Sequence, residues 1–294
     1  AFSALPNVSS PSVIQQLLAM LKTANSTQEI APVQQALIAI AGPDTAPTIL
    51  QAASDQKARL LPVLPYIKDK QSLQMVRTSF EQGQAEEKEL AFAALINWQN
   101  GDAVPLLLSV LRQGSKLYHG CAFSAYVRQT MATDWPAEQK LLKLREVFPL
   151  AATVDEKKLI LREAGGIRTF LSFVFVSSWL DDVELGPTAS RSTMRLALPT
   201  ADAQPGLTGK EVRKALEKVM EKLTGPDSQY DRIDVKSYLD QLPYVQGYES
   251  IFNGTNLDGW QGLVENPIAR AKMTKEELAK KQAVADAKIT DNWS

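Results

Sequence analysis

The chain has 294 residues, 45% hydrophobic and 22% charged, and its 32 Lys and Arg against 33 Asp and Glu leave a net charge of -1. This is the balance of a globular protein long enough to bury a core in one or two domains. It offers no general excess of positive charge for a nucleic acid, its longest apolar run (residues 169–180) is too short for a membrane span of about 20 residues, and its one cysteine, Cys121, excludes an intrachain disulfide.

The opening residues 1–6 carry neither a charged leader nor a long apolar stretch, so a signal peptide is either absent or already removed. Ser10-Pro11 supplies an N-cap and a proline for the first helical position, and Val13, Ile14, Leu17, Leu18 and Leu21 then share one face. Ser26 and Glu29 read as a capping box for a second helix with Ile30, Val33, Leu37 and Ile40 on its apolar side, stopped by Gly42-Pro43. Pro62 and Pro65 should kink or split the helix that contains them. Further apolar stripes follow: Leu90, Ala91, Ala94, Leu95 and Trp98, then Leu106, Leu107, Val110 and Leu111. Pro136 opens a helix with Leu141, Leu142, Leu144, Val147 and Phe148 apolar, and residues 169–180 read as a buried core helix. Gly186-Pro187 can start a helix through Leu198, and Val212, Ala215, Leu216, Val219, Met220 and Leu223 mark a clean amphipathic one. Ile233, Val235, Tyr238, Leu239 and Leu242 suggest a last helix before Pro243.

Ala36 and Ala94, Asp44 and Asp102, and Pro47 and Pro105 are each 58 residues apart, which we read as two units of roughly 29 residues, each a helix pair. One pair cannot bury its stripe alone, so neighbours must stack. The Ala-Leu-rich helix ends, the turn Asp44 or Asp102 and the following Pro47 or Pro105 resemble the HEAT-like α-solenoid family, most clearly over residues 10–180. The resemblance implies a mostly α fold: a right-handed solenoid of roughly five or six helix pairs over residues 1–243, presenting a surface for a protein or glycan partner.

From residue 247 the pattern changes. Residues 248–252 alternate like a half-buried strand, Asn253-Gly254 favours a tight turn, and Gly259 lets the backbone turn beneath Trp260. Phe252, Asn253, Gly254, Leu257, Gly259 and Trp260 resemble the opening of the bacterial keto-disaccharide hydrolase domain, a concanavalin-like jelly roll, with Ile251 in place of its Leu. The resemblance implies that these six residues are structural, with Trp260 an internal anchor rather than a ring for sugar stacking, and that residues 244–294 are the cut-off start of a short, incomplete β-rich segment. Residues 273–289 read as a helical insertion with Thr274 and Glu277 as its capping box, and Asp291-Asn292-Trp293 as the next strand. A bacterial cell-envelope or secreted setting, and sugars as substrates of the parent protein, are further implications.

Residue chemistry points to no catalytic, metal or cofactor site within the chain. His119 is the only histidine, and its spacing from Cys121 sends the two side chains to different faces of a helix. Asp181, Asp182 and Glu184 read as a solvated helix terminus rather than a carboxylate pair across a sugar. Gly165-Gly166 reads as a helix break, and Phe170, Phe173, Phe175 and Trp179 as core. Three functions remain: a non-catalytic scaffold presenting a carbohydrate-active domain, part of a glycoside-cleaving hydrolase whose active site lies beyond residue 294, or a general protein-interaction module.

Overall fold

A computed structural model of the chain describes residues 10–200, 204–224, 228–242, 251–252 and 256–292. Among these residues there are seventeen α-helices and no strand, so the chain is mostly α. The expected strand and turn at the start of the C-terminal segment fall largely outside the described residues, Asn253 and Gly254 among them. Asp291 and Asn292, expected in a strand, instead end a helix that began at Lys275. The chain divides into two compact units, Ala1–Leu207 with Ala215–Asp240, and Thr208–Lys214 with Gln241–Ser294.

The first unit starts with α1 (Ile14–Thr23), α2 (Thr27–Ala39) and α3 (Ala46–Ala53). Burial of Ile14, Leu17, Leu18 and Leu21 on α1, and of Ala46, Ile49, Leu50 and Ala53 on α3, follows the i, i+3, i+4, i+7 spacing of one helical face. Pro62 and Pro65 do split their helix, into α4 (Lys57–Leu60) and α5 (Leu64–Ile67), with Pro65 in the first turn of the second piece. Next come α6 (Lys70–Gln82), α7 (Ala85–Ile96) and α8 (Val104–Arg112). Thr27 opens α2 and Ala85 opens α7, while Ala46 opens α3 and Val104 opens α8, so both starts keep the 58-residue spacing of the sequence. Pro47 and Pro105 both sit in first turns, where the missing N–H costs nothing.

The unit continues with α9 (His119–Ala132), α10 (Ala137–Val147), α11 (Val154–Ala164), α12 (Phe170–Ser177) and α13 (Gly186–Ala197). Chain neighbours pair as α1 with α2, α6 with α7, α8 with α9, α10 with α11 and α12 with α13, and every second helix from α5 to α13 touches the next. Phe123 and Tyr126 of α9 and Phe173 of α12 are its bulkiest fully buried side chains, each worth about 1.5–3 kcal/mol of apolar burial. Burial pushes the Tyr126 hydroxyl well above its ordinary value, with Glu146 adding to it, and the hydroxyl donates to Lys143 O at 3.1 Å. Gly165 closes α11 where a Cβ would lie 2.7 Å from the Ser192 Cβ, so its bare backbone is what lets α13 approach.

Helix ends are finished by distant side chains. The last carbonyls of a helix have no partner within it. Arg59 of α4 donates to Leu21 O and, at 3.2 Å, to Lys22 O at the end of α1. Gln129 of α9 donates to Leu95 O at 2.9 Å, and Arg128 to Ile96 O, at the end of α7. Arg168 donates to Arg195 O and Leu198 O, both at 3.2 Å, at the end of α13. The cations also sit at the negative pole of the helix dipole.

Some local expectations fail. Ser26 makes no side-chain cap, and Glu29 accepts from Asn25 N at 2.9 Å rather than from Ser26 N, so the expected box is not formed. A complete capping box joins Thr153 and Glu156 at the start of α11. Leu142, assigned to an apolar face, is 61% exposed, and α12, read as buried, leaves Leu171 54% and Val174 46% exposed. Its residues are apolar nearly all round, so periodicity could not say which side faces in.

The division between units passes through α14 (Lys210–Lys222), with Val212, Ala215, Leu216, Val219 and Leu223 buried as the stripe requires. The first unit ends in α15 (Gln229–Gln241); the second holds α16 (Pro267–Ala271) and α17 (Lys275–Asn292). Gln129 is 3% exposed. Replacing it by Ala should remove one of the donors that serve the α7 carbonyls and lower the unfolding free energy by about 1 kcal/mol, read as an earlier urea midpoint in far-UV circular dichroism.

Candidate functional site

The six motif residues fall in the C-terminal unit. Gly259 adopts φ +86, a left-handed conformation that its missing Cβ allows, and Trp260 N returns to Leu257 O at 2.9 Å to close the turn. Asn256 and Asp258 brace it: Asp258 N donates to Asn256 Oδ1 at 3.1 Å and Asn256 Nδ2 to Asp258 Oδ2 at 2.8 Å. Leu257 is half-buried, whereas the rings of Phe252 and Trp260 are each 39% exposed.

Beyond the turn, residues 261–265 lie along α17. Gly262 N donates to Asp286 Oδ1 at 2.6 Å, and Gln282 Nε2 donates to Gly262 O at 2.8 Å and to Asp286 Oδ1 at 2.7 Å. Gln282 and Asp286 are four residues apart and so share a face of the helix. A Cβ on Gly262 would stand 2.2 Å from the Ala285 carbonyl carbon, so only glycine permits this approach. Beside the pairing runs an open groove of about 630 Å³ lined by Leu263, Val264, Val284 and Ile289 together with Lys280 and Lys281. Lys281 is paired with Glu265 at 2.9 Å. The sequence reading passed over Gly262, Gln282 and Asp286; the spacing of the last two was visible, but nothing showed which segment they would hold.

In the first unit, an apolar band crosses two helices. Arg145 of α10 lies over the Phe175 ring of α12, 5.9 Å from its centre. Phe175 meets Phe148 edge-on at 5.5 Å, and Phe148 meets Trp179 at 4.8 Å. Exposed Leu142 is one turn before Arg145, and exposed Leu171 and Val174 flank Phe175.

The other sequence candidates are placed as follows. His119 Nε2 lies 3.2 Å from Glu156 Oε2, with its ring stacked on Phe123 at 5.9 Å, while Cys121 is exposed. Asp182 accepts from the backbone N–H of Glu184 at 2.9 Å and of Leu185 at 2.8 Å, and Asp181 pairs with Lys218. Among the described residues, no group of three or more His, Cys, Asp or Glu side chains is arranged to hold a metal ion, and no helix is long and apolar enough to cross a membrane. No protein-family model and no curated protein matches the chain.

Two outcomes check this geometry. Gly262→Ala should force residues 261–265 away from α17, raising their amide hydrogen exchange while leaving α6–α9 unchanged. Hydrogen bonds from the Thr274 backbone N–H and hydroxyl, with Lys281 nearby, hold the Glu277 carboxyl below its ordinary value. A depressed folded value stabilises above the ordinary carboxylate range and is lost as pH falls through it. The first turn of α17 should therefore fray on acidification, seen as exchange at residues 275–278, and Glu277→Gln should remove that pH dependence.

Proposed function

We propose that residues 1–243 form a HEAT-like helical-repeat scaffold, without catalytic work of its own, that docks a partner protein within a bacterial multidomain protein acting on glycosides. The pairing of neighbouring helices, the contacts between every second helix and the 58-residue correspondence support the repeat reading. The observation that carries the docking role is the band of Leu142, Leu171, Val174 and Phe175 with Arg145 laid over its aromatic ring. Single exposed apolar residues are ordinary, but three of them on the two helices that carry an arginine laid over an aromatic ring have the composition of a protein interface. The partner this fits is a protein that brings its own apolar side chains to the band and a carboxylate to Arg145. The glycoside-acting role and a cell-envelope or secreted setting rest on the resemblance of residues 247–260.

One observation favours a second reading, in which the C-terminal segment belongs to a glycoside-cleaving hydrolase and contacts the sugar itself. The rings of Phe252 and Trp260 remain partly open to solvent and so can stack on a pyranose face.

A photo-reactive amino acid at Val174 should give discrete protein adducts in the native host, and the same label at exposed Lys22 should not. The substitutions Leu142→Glu and Val174→Glu together should remove those adducts at least tenfold, because a charge buried in an apolar interface costs about 2 kcal/mol or more. Adducts that persist in the double variant would count against the docking surface. The purified chain should show no turnover of disaccharides; measurable turnover would overturn the non-catalytic reading.

A further inference from the structure

A recess of about 420 Å³ in the first unit opens between the end of α13, the segment that follows it and the start of α15. Its walls differ in charge. Arg191 and Arg195 line one side, four residues apart and therefore on one face of α13. Among the described contacts neither guanidinium has an ion pair or a hydrogen bond. Two like charges one turn apart repel, so an anion held between them would relieve that repulsion. Asp231 of α15 also lines the recess, without a pairing to either arginine. Met194 and Leu198 add apolar lining, and the Thr200 hydroxyl is buried with no partner.

The walls are held in place. Arg168 donates to Arg195 O and Leu198 O at 3.2 Å and to Pro205 O at 3.4 Å, and Thr200 N donates to Gln204 O at 3.2 Å. Arg168 is thus spent on backbone carbonyls, which fixes the helix end that carries Arg195.

We propose that this recess binds a small polyhydroxylated acid. Guanidinium forks match the paired oxygens of a carboxylate or phosphate, and the volume lies in the range of small-molecule sites. Asp231 repels a bare anion, so the ligand must also bring a hydroxyl donor to that carboxylate. Its carbon chain then crosses Met194 and Leu198, and Thr200 Oγ1 gains the partner it lacks. Carboxylate and phosphate present the same paired oxygens, and the test separates them. The site does not depend on the scaffold reading.

The full chain is titrated with gluconate, glucose 6-phosphate, glucose and propionate, followed by amide shifts at residues 191–200. Gluconate, glucose 6-phosphate or both should bind, identifying the preferred anion, while glucose and propionate should bind at least tenfold more weakly. Arg191→Gln and Arg195→Gln should each weaken binding about tenfold and more salt should weaken it further, with circular dichroism and melting unchanged because neither side chain supports the fold. Asp231→Asn should weaken gluconate or glucose 6-phosphate but strengthen propionate. Absence of binding by both acids, binding that survives the arginine variants, or glucose or propionate binding as tightly as the acids would overturn the proposal.

Discussion

The first unit depends on the satisfaction of helix-end carbonyls by side chains from other helices and from the connections between them. Its helices are short, so orphan end groups form a large share of the backbone, and packing pairs together buries some of those ends away from water. A buried carbonyl without a donor costs about 1–3 kcal/mol. Arg59, Arg128, Gln129 and Arg168 meet this demand across sequence separations of 27 to 38 residues, and Gln34 Nε2 does the same for Arg59 O at 2.7 Å. Apolar stripes alone would let one helix slide or rotate on its neighbour. A directional bond to one named carbonyl fixes both the turn and the rotation.

The C-terminal unit uses different means. Few of its described apolar side chains are buried, Val212, Leu242 and Val264 among them, while Leu263 and Ile268 stand open at 80% and 72%. What holds residues 261–265 to α17 is polar and local: Gln282 and Asp286 complete the backbone of Gly262 much as a neighbouring strand would. That arrangement needs no sizeable core, but it makes the geometry sensitive to a single methyl group at position 262.

Much of the helical layout was legible in the sequence because it rests on local rules. The prolines at 47 and 105 mark helix starts, the pair at 62 and 65 divides a helix, and the spacing of Ala36, Asp44 and Pro47 against Ala94, Asp102 and Pro105 matches two sets of helices. Orientation was legible only where a stripe was contrasted. Val212, Leu216 and Val219 alternate with lysines and glutamates, so their face is unambiguous; Leu171 and Val174 sit among residues as apolar as themselves, and which of them is buried depends on Phe148 and Trp179 from elsewhere. The motif residues could be placed in a turn by Gly259, yet the exposure of Trp260 depends on what packs against it, which no local pattern records. Long-range donors such as Gln129 look like ordinary polar residues of a helix until the carbonyl they serve is known.

The borrowed helix caps also bear on how such a chain could change length. In a strictly nearest-neighbour repeat protein, whole units can be added or removed with little disturbance to the rest. Here, excising α4 would strip the terminus of α1, and excising α9 would strip that of α7. Duplication or loss of a single pair therefore exposes an uncompensated polar edge elsewhere, so growth by whole-unit recombination is obstructed, and change in this region is channelled toward substitution within a fixed number of helices.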